Sequence, residues 1–115
     1  MSPDRNDLAH FFDMLNAARV VVSFVSGRSF EDYVVDLMLR SAVERQVEII
    51  GEAARRVSKV SREQHSEIPW RPILAQRHIL AHEYGEIMHD RLWRVATIHI
   101  PELIQLLEGL VEEPG

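Results

Sequence analysis

Within eight residues, Arg77-His78-Ile79-Leu80-Ala81-His82-Glu83-Tyr84, the chain gathers four side chains able to hold a phosphate or move a proton: Arg77, His78, His82 and Tyr84. A neutral imidazole, with a pKa of about 6.5, can take a proton from a hydroxyl and return one to a leaving group. An arginine beside it grips phosphate oxygens with a two-pronged fork and stabilises the charge of a transition state. In RNA the internal 2′-OH supplies the nucleophile, so such a set requires neither a metal nor a protein nucleophile. That suits a chain with no cysteine, in which disulfides, thiolate catalysis and cysteine-ligated zinc are excluded.

Helix geometry constrains the pair. Trp70, Ile73, Arg77, Leu80, Tyr84 and Ile87 recur at spacings of 3, 4, 3, 4 and 3, which puts Arg77 and Tyr84 on the apolar stripe of a helix. A guanidinium there must be paired or hold an anion. Glu44, Glu48 or Glu52 of the preceding helix could be its partner. His82, five residues after Arg77, is turned about 140° away on an ideal helix. Convergence on one small ligand therefore requires either a helix break near Ile79–His82 or a second copy of the segment across a two-fold axis. Taken singly, His82 also fits a polar helix end, and Tyr84 a core tyrosine with its hydroxyl at the edge. A metal reading is open as well: His78 and His82 stand at i and i+4, with Glu86 on the same face. The zinc-helix pattern H-E-x-x-H, however, needs Glu where Ile79 stands. His10, His65, His89 and His99 have no spacing that singles them out.

The elements that must position this segment are helical. Leu8, Phe11, Leu15, Ala18, Val22 and Val25 predict a first amphipathic helix closed by Ser26-Gly27. Ser29 is a fit N-cap for a long second helix from about Phe30 to about Val57, with Glu31 and Asp32 in its first turn. Gly51 within it costs up to ~1 kcal/mol relative to Ala, which a close approach by another helix would offset. Ser58 to Pro69 reads as a connection with room for one helical turn. Pro69-Trp70-Arg71-Pro72 starts a third helix, which Gly85 ends. Asp90 is the expected N-cap of the last helix, with Leu92, Val95, His99, Leu103, Leu106 and Leu110 as its buried face and a kink at Pro101. No stretch alternates with period two. The expectation is an all-α antiparallel bundle of four main helices, with room for a short fifth. The last helix has a broader apolar face than one seam needs, leaving part for a dimer contact.

A length of 115 residues predicts one domain spanning residues 1–115. With 46% apolar and 27% charged residues the composition is that of an ordinary globular protein. No apolar run is expected to approach the ~18 residues of a membrane span, and the polar start, Met1 to Asp7, does not resemble a secretion signal. The expected place is the cytoplasm, away from membranes. A net charge of −5 argues against sequence-blind binding to a polyanion. The charges are nevertheless uneven: residues 55–77 carry Arg55, Arg56, Lys59, Arg62, Arg71 and Arg77 against Glu63 and Glu67. All but Lys59 of the 13 basic residues are arginine, the residue best shaped for phosphate.

The run Arg77-His78-…-His82-Glu83-Tyr84 resembles the R-φ-x-x-x-H motif of the HEPN ribonucleases, φ being polar, with the H-x-Y extension of the HepT toxins. Ile49-Ile50-Gly51-Glu52-Ala53-Ala54, Ile68-Pro69-Trp70 and Leu92-Trp93 extend the similarity from about Asp7 to Leu110. Position 78 is often Asn in HepT-like proteins and is His here. Asp36 matches an acidic position of the second helix. The resemblance implies a homodimer whose motifs meet in a composite cleft, and metal-independent endoribonuclease activity that includes tRNA among its targets, with no cofactor. It also implies a cognate minimal nucleotidyltransferase antitoxin that moves AMP from ATP to the motif tyrosine. Carried onto this sequence, His82 is the general acid/base, Arg77 the phosphate clamp, His78 and Asp36 supporting residues, and Tyr84 the AMP acceptor. The contrasting readings are a non-catalytic dimeric helical binding module and the His-ligated metal protein above.

Overall fold

The computed structural model describes residues 5–82 and 86–111, the side chains of residues 77–82 and 86–87 excepted. Among the described residues every element is helical, so the all-α expectation holds. Helix α1 (Arg5–Val25) buries Phe11, Met14, Leu15, Ala18, Val21 and Val25. Its length and composition are those of a membrane-crossing helix, contrary to the sequence expectation. In the fold it is the central rod of the core, packed between α3 (Leu37–Arg56) and α7 (Ile100–Val111). Gly27, at φ 74°, turns the chain out of α1 through the left-handed region that glycine enters freely.

Ser29 caps α2 (Phe30–Val35). Its hydroxyl accepts from the Asp32 N–H (3.1 Å), while the Asp32 carboxylate accepts from the Ser29 N–H (3.0 Å), a reciprocal box that satisfies two helix-end donors. The expected continuous helix from Phe30 to Val57 does not form. Asp36 adopts extended backbone and caps a separate helix, α3 (Leu37–Arg56). Its carboxylate offers the Leu39 N–H an acceptor at 3.1 Å, a side-chain alternative to the backbone ladder that aspartate is short enough to supply. The expected connection after Val57 contains a short helix, α4 (Lys59–Gln64). Helix α5 (Trp70–His82) starts after Pro69 as its sequence suggests.

Asp90 is not an N-cap. It lies inside α6 (Glu86–Arg94) and pairs with Arg94 one turn on, at 2.8 Å. The chain then makes a π turn, Val95–His99, before α7 (Ile100–Val111). Pro101 explains it: a proline ring collides with the carbonyl four residues back, here that of Thr97. The wider turn, in which the Ile100 N–H bonds to Val95 O, relieves the collision. The extra residue shifts the buried face to Leu92, Ala96, Ile100, Leu103, Leu107 and Leu110, so His99 is exposed and Val95 packs at the edge of the core. The kink expected at Pro101 is this turn.

One buried carboxylate ties α1 to the far end of α3, which makes these two helices antiparallel. Asp7, 4% exposed, accepts from the Ser58 N–H (2.8 Å), the Ser58 hydroxyl (2.6 Å) and the Ser61 hydroxyl (2.6 Å). Burial alone would raise its pKa. The hydrogen bonds from Ser58 and Ser61, with help from nearby His10, outweigh burial and hold it below the usual value. Stability from such a group is present above the unfolded pKa and is lost as pH falls through the folded one. Asp7→Ala should lower the unfolding free energy at pH 7 by about 2–4 kcal/mol. In urea titrations its gap from wild type should narrow below about pH 4; an equal gap at pH 3 and pH 7 would contradict the assignment.

Gly51 faces α5, as expected, but a Cβ built there meets the Ile73 carbonyl oxygen at 3.6 Å, an ordinary contact. The space admits a methyl group. Gly51→Ala should therefore stabilise the fold by up to ~1 kcal/mol, read as a rise in melting temperature; a fall would show that α3 and α5 need the closer approach.

Candidate active site

Helix α5 is held at its start. The Trp70 indole donates to the His65 carbonyl at 3.0 Å, and its ring lies 5.9 Å from that of Phe11. From there the backbone stays helical through His82. A break within Ile79–His82, one of the two routes to convergence, does not occur. Positions 77 and 82 therefore stand about 140° apart around the α5 axis. The side chains of Arg77, His78, His82 and Glu86, and the whole of Tyr84, lie outside the described residues, as does the metal set built from His78, His82 and Glu86. No group of three or more metal-binding side chains occurs among the described residues.

The candidate acids on α3 behave differently from one another. Glu48 pairs with Arg45 at 3.2 Å and Glu52 with Arg55 at 2.9 Å, each along its own helix. Burial pushes the Glu44 carboxyl upward, with Arg40 and His89 pulling it back. Beside it sits Tyr33, fully buried, its hydroxyl without a hydrogen-bond partner among the described residues. Burial, and then the charge of Glu44, push this phenol far above its usual range, Arg40 opposing. The Tyr33 ring packs 5.5 Å from Trp93 and 6.3 Å from His89. His89 Nδ1 is likewise buried without a partner. Arg40 donates to the Tyr33 and Val34 carbonyls at the end of α2, where a cation offsets the helix dipole.

Tyr33, Arg40, Glu44 and His89 thus form a polar cluster where α2, α3 and α6 meet. Clusters of shifted, incompletely bonded groups are over-represented at functional sites. Sequence reasoning passed over this one, since His89 has no informative spacing. Only Arg40 and Glu44, four apart on α3, share a face by spacing, since the break at Asp36 separates them from Tyr33.

The family model described as "Ribonuclease HepT-like" matches residues 14–110. The chain belongs to the HepT-like ribonuclease family. A protein of Caldanaerobacter subterraneus subsp. tengcongensis named "Putative RNase TTE0752" is 36% identical over 87% of this chain and 89% of its own length. "Putative RNase MJ1380" of Methanocaldococcus jannaschii is 32% identical over 90% and 95% respectively. "Probable ribonuclease HepT" of Thermococcus cleftensis is 34% identical over 85% and 89%. No solved structure gives a match.

In this HepT-like chain the acidic residue expected to support the site, Asp36, stands at the α2–α3 junction. It caps α3, and the Arg28 guanidinium lies 3.7 Å from its other oxygen. The cap sets where α3 begins, and with it the helix against which α5 lies. Asp36→Ala should cost about 1 kcal/mol of stability and Asp36→Asn much less, because asparagine caps as well as aspartate. Chemical denaturation measures both; equal losses would point to the charge rather than the cap.

Proposed function

We propose that this HepT-like chain is the toxin of a HEPN/nucleotidyltransferase toxin–antitoxin pair: a cytoplasmic, metal-independent endoribonuclease forming one HEPN-type domain and acting as a homodimer. The observation that carries the reading is Arg77 and His82, at the family's motif spacing, on a helix that runs unbroken between them. With one copy unable to converge the pair, a cleft built from two copies supplies both groups to one phosphate. His82 of one copy removes the 2′-OH proton. The 2′ oxygen attacks the adjacent phosphorus, the bond to the 5′ oxygen breaks, and His82 of the other copy protonates that oxygen. The products are a 2′,3′-cyclic phosphate and a 5′-OH. Arg77 clamps the phosphate and stabilises its added charge, with His78 and Asp36 in support. Transfer of AMP to Tyr84 by the cognate antitoxin would place phosphate charge beside Arg77 and fill the cleft, silencing the toxin.

The test is cleavage of total cellular RNA, with or without EDTA, by protein whose intact mass shows no added AMP. Wild type should cut equally well with the chelator, and Arg77→Ala and His82→Ala should each lose about 100-fold or more. Loss of activity in EDTA would favour a His-ligated metal site. Identical behaviour of wild type and both variants would favour a binding module.

A further inference from the structure

Beyond the motif, α5 borders a groove of about 490 Å³ walled by α3, the first half of α5 and the α6–π–α7 rod. Its floor is apolar, with Val47 and Ile50 of α3, Ile73 of α5 and Leu103 of α7 among the lining. Two features suit it to a ligand. Gln76, the residue immediately before Arg77, lines it, and the Gln76 side-chain oxygen is buried with no hydrogen-bond partner among the described residues. A shielded acceptor without a donor is costly, and a donor on a ligand in the groove that Gln76 lines would satisfy it. The π turn is the second feature. It takes Val95 and His99 out of the core register and makes both part of the groove wall, and π turns occur often at functional positions.

We infer that this groove is a nucleobase subsite that seats a base next to the scissile phosphate, adenine above the others. The inference rests on the ribonuclease reading and names the feature of the RNA that the site selects. A glutamine amide accepts from the adenine 6-amino group and donates to N7, the pairing that best satisfies both its ends. The apolar floor accepts the flat face of a base, and the His99 ring offers it a stacking surface. Arg91, Arg94 and Glu102 are also part of the lining, with Arg94 held by Asp90 at 2.8 Å. Gln76 and Arg77 are successive residues of α5, about 100° apart around its axis, so a base held by the first and a phosphate held by the second would belong to one strand passing around the helix.

The probe is a set of uncleavable 2′-fluoro oligouridylates of five nucleotides whose central position is A, C, G, U or abasic, with binding read by fluorescence anisotropy. Wild type should bind the A-centred strand about tenfold more tightly than the U-centred or abasic one. Gln76→Ala should erase that ratio, and so should Val95→Trp, which fills the groove from the other wall. Arg77→Ala should weaken all five strands in parallel, as loss of a phosphate contact does. The inference is overturned if wild type shows no base preference, or if the preference survives in folded Gln76→Ala and Val95→Trp. It is equally overturned if Val95→Trp leaves the preference intact and converts dimers to monomers in sedimentation, since the groove is then a seam between copies. Absence of binding to every strand, together with absence of RNA cleavage, would remove the ribonuclease reading itself.

Discussion

Residues five apart on a helix point in directions about 140° from each other, and no side chain is long enough to cancel that. Everything about the site follows from α5 keeping its helical pitch as far as His82. Its start is fixed by Pro69 and by the Trp70 hydrogen bond to His65, and its middle lies over α3 beside Gly51. A helix anchored in this way does not bend to bring Arg77 and His82 together. On the proposed reading, the two groups meet only through a second copy, or along a ligand long enough to touch different faces of α5. An RNA strand permits both.

The buried polar groups divide along the same line between architecture and chemistry. Asp7 is almost wholly enclosed, yet three donors meet its two oxygens, so the charged form is favoured despite desolvation. Such a group fastens α1 to the α3–α4 junction and leaves little of its acceptor capacity unused. Tyr33 and His89 each keep a buried polar atom without a partner, while Glu44 between them is raised by burial. Two such atoms in one place, beside a carboxyl raised by burial, cost stability. Tyr33 lies on α2 and Glu44 on α3, before the motif, and His89 on α6, after it. Burial alone therefore does not separate a structural polar residue from a chemical one; the completeness of its hydrogen bonding does.

What could be read from sequence was whatever depends on local spacing. The α1 stripe, the Ser29 cap, the glycine turn at position 27 and the proline start of α5 all form as their residue types dictate. The motif was legible for the same reason, being eight consecutive residues. The break at Asp36 was not, because an aspartate on a helix surface and one capping a new helix are preceded and followed by similar residues; only the turn of its carboxylate toward the Leu39 N–H distinguishes them. The cluster of Tyr33, Glu44 and His89 was hidden because it joins three elements whose meeting is a tertiary fact. The groove beside Gln76 was hidden for the same reason.

The last helix shows how one local conflict sets a distant surface. Had α6 continued into α7 with a regular pitch, Leu92, Val95, His99 and Leu103 would have shared one buried face, with an imidazole in the core. Pro101 cannot accept that path, since its ring meets the Thr97 carbonyl. Adding a residue to the turn removes the clash and rotates everything before it relative to everything after. Ala96 and Ile100 enter the core, and the freed Val95 and His99 face the gap beside α5. A smaller residue in the core at position 96 also leaves α1 room to pack against this rod. The proline thus determines both how the bundle closes and which side chains stand across from Gln76, one residue from the arginine of the motif.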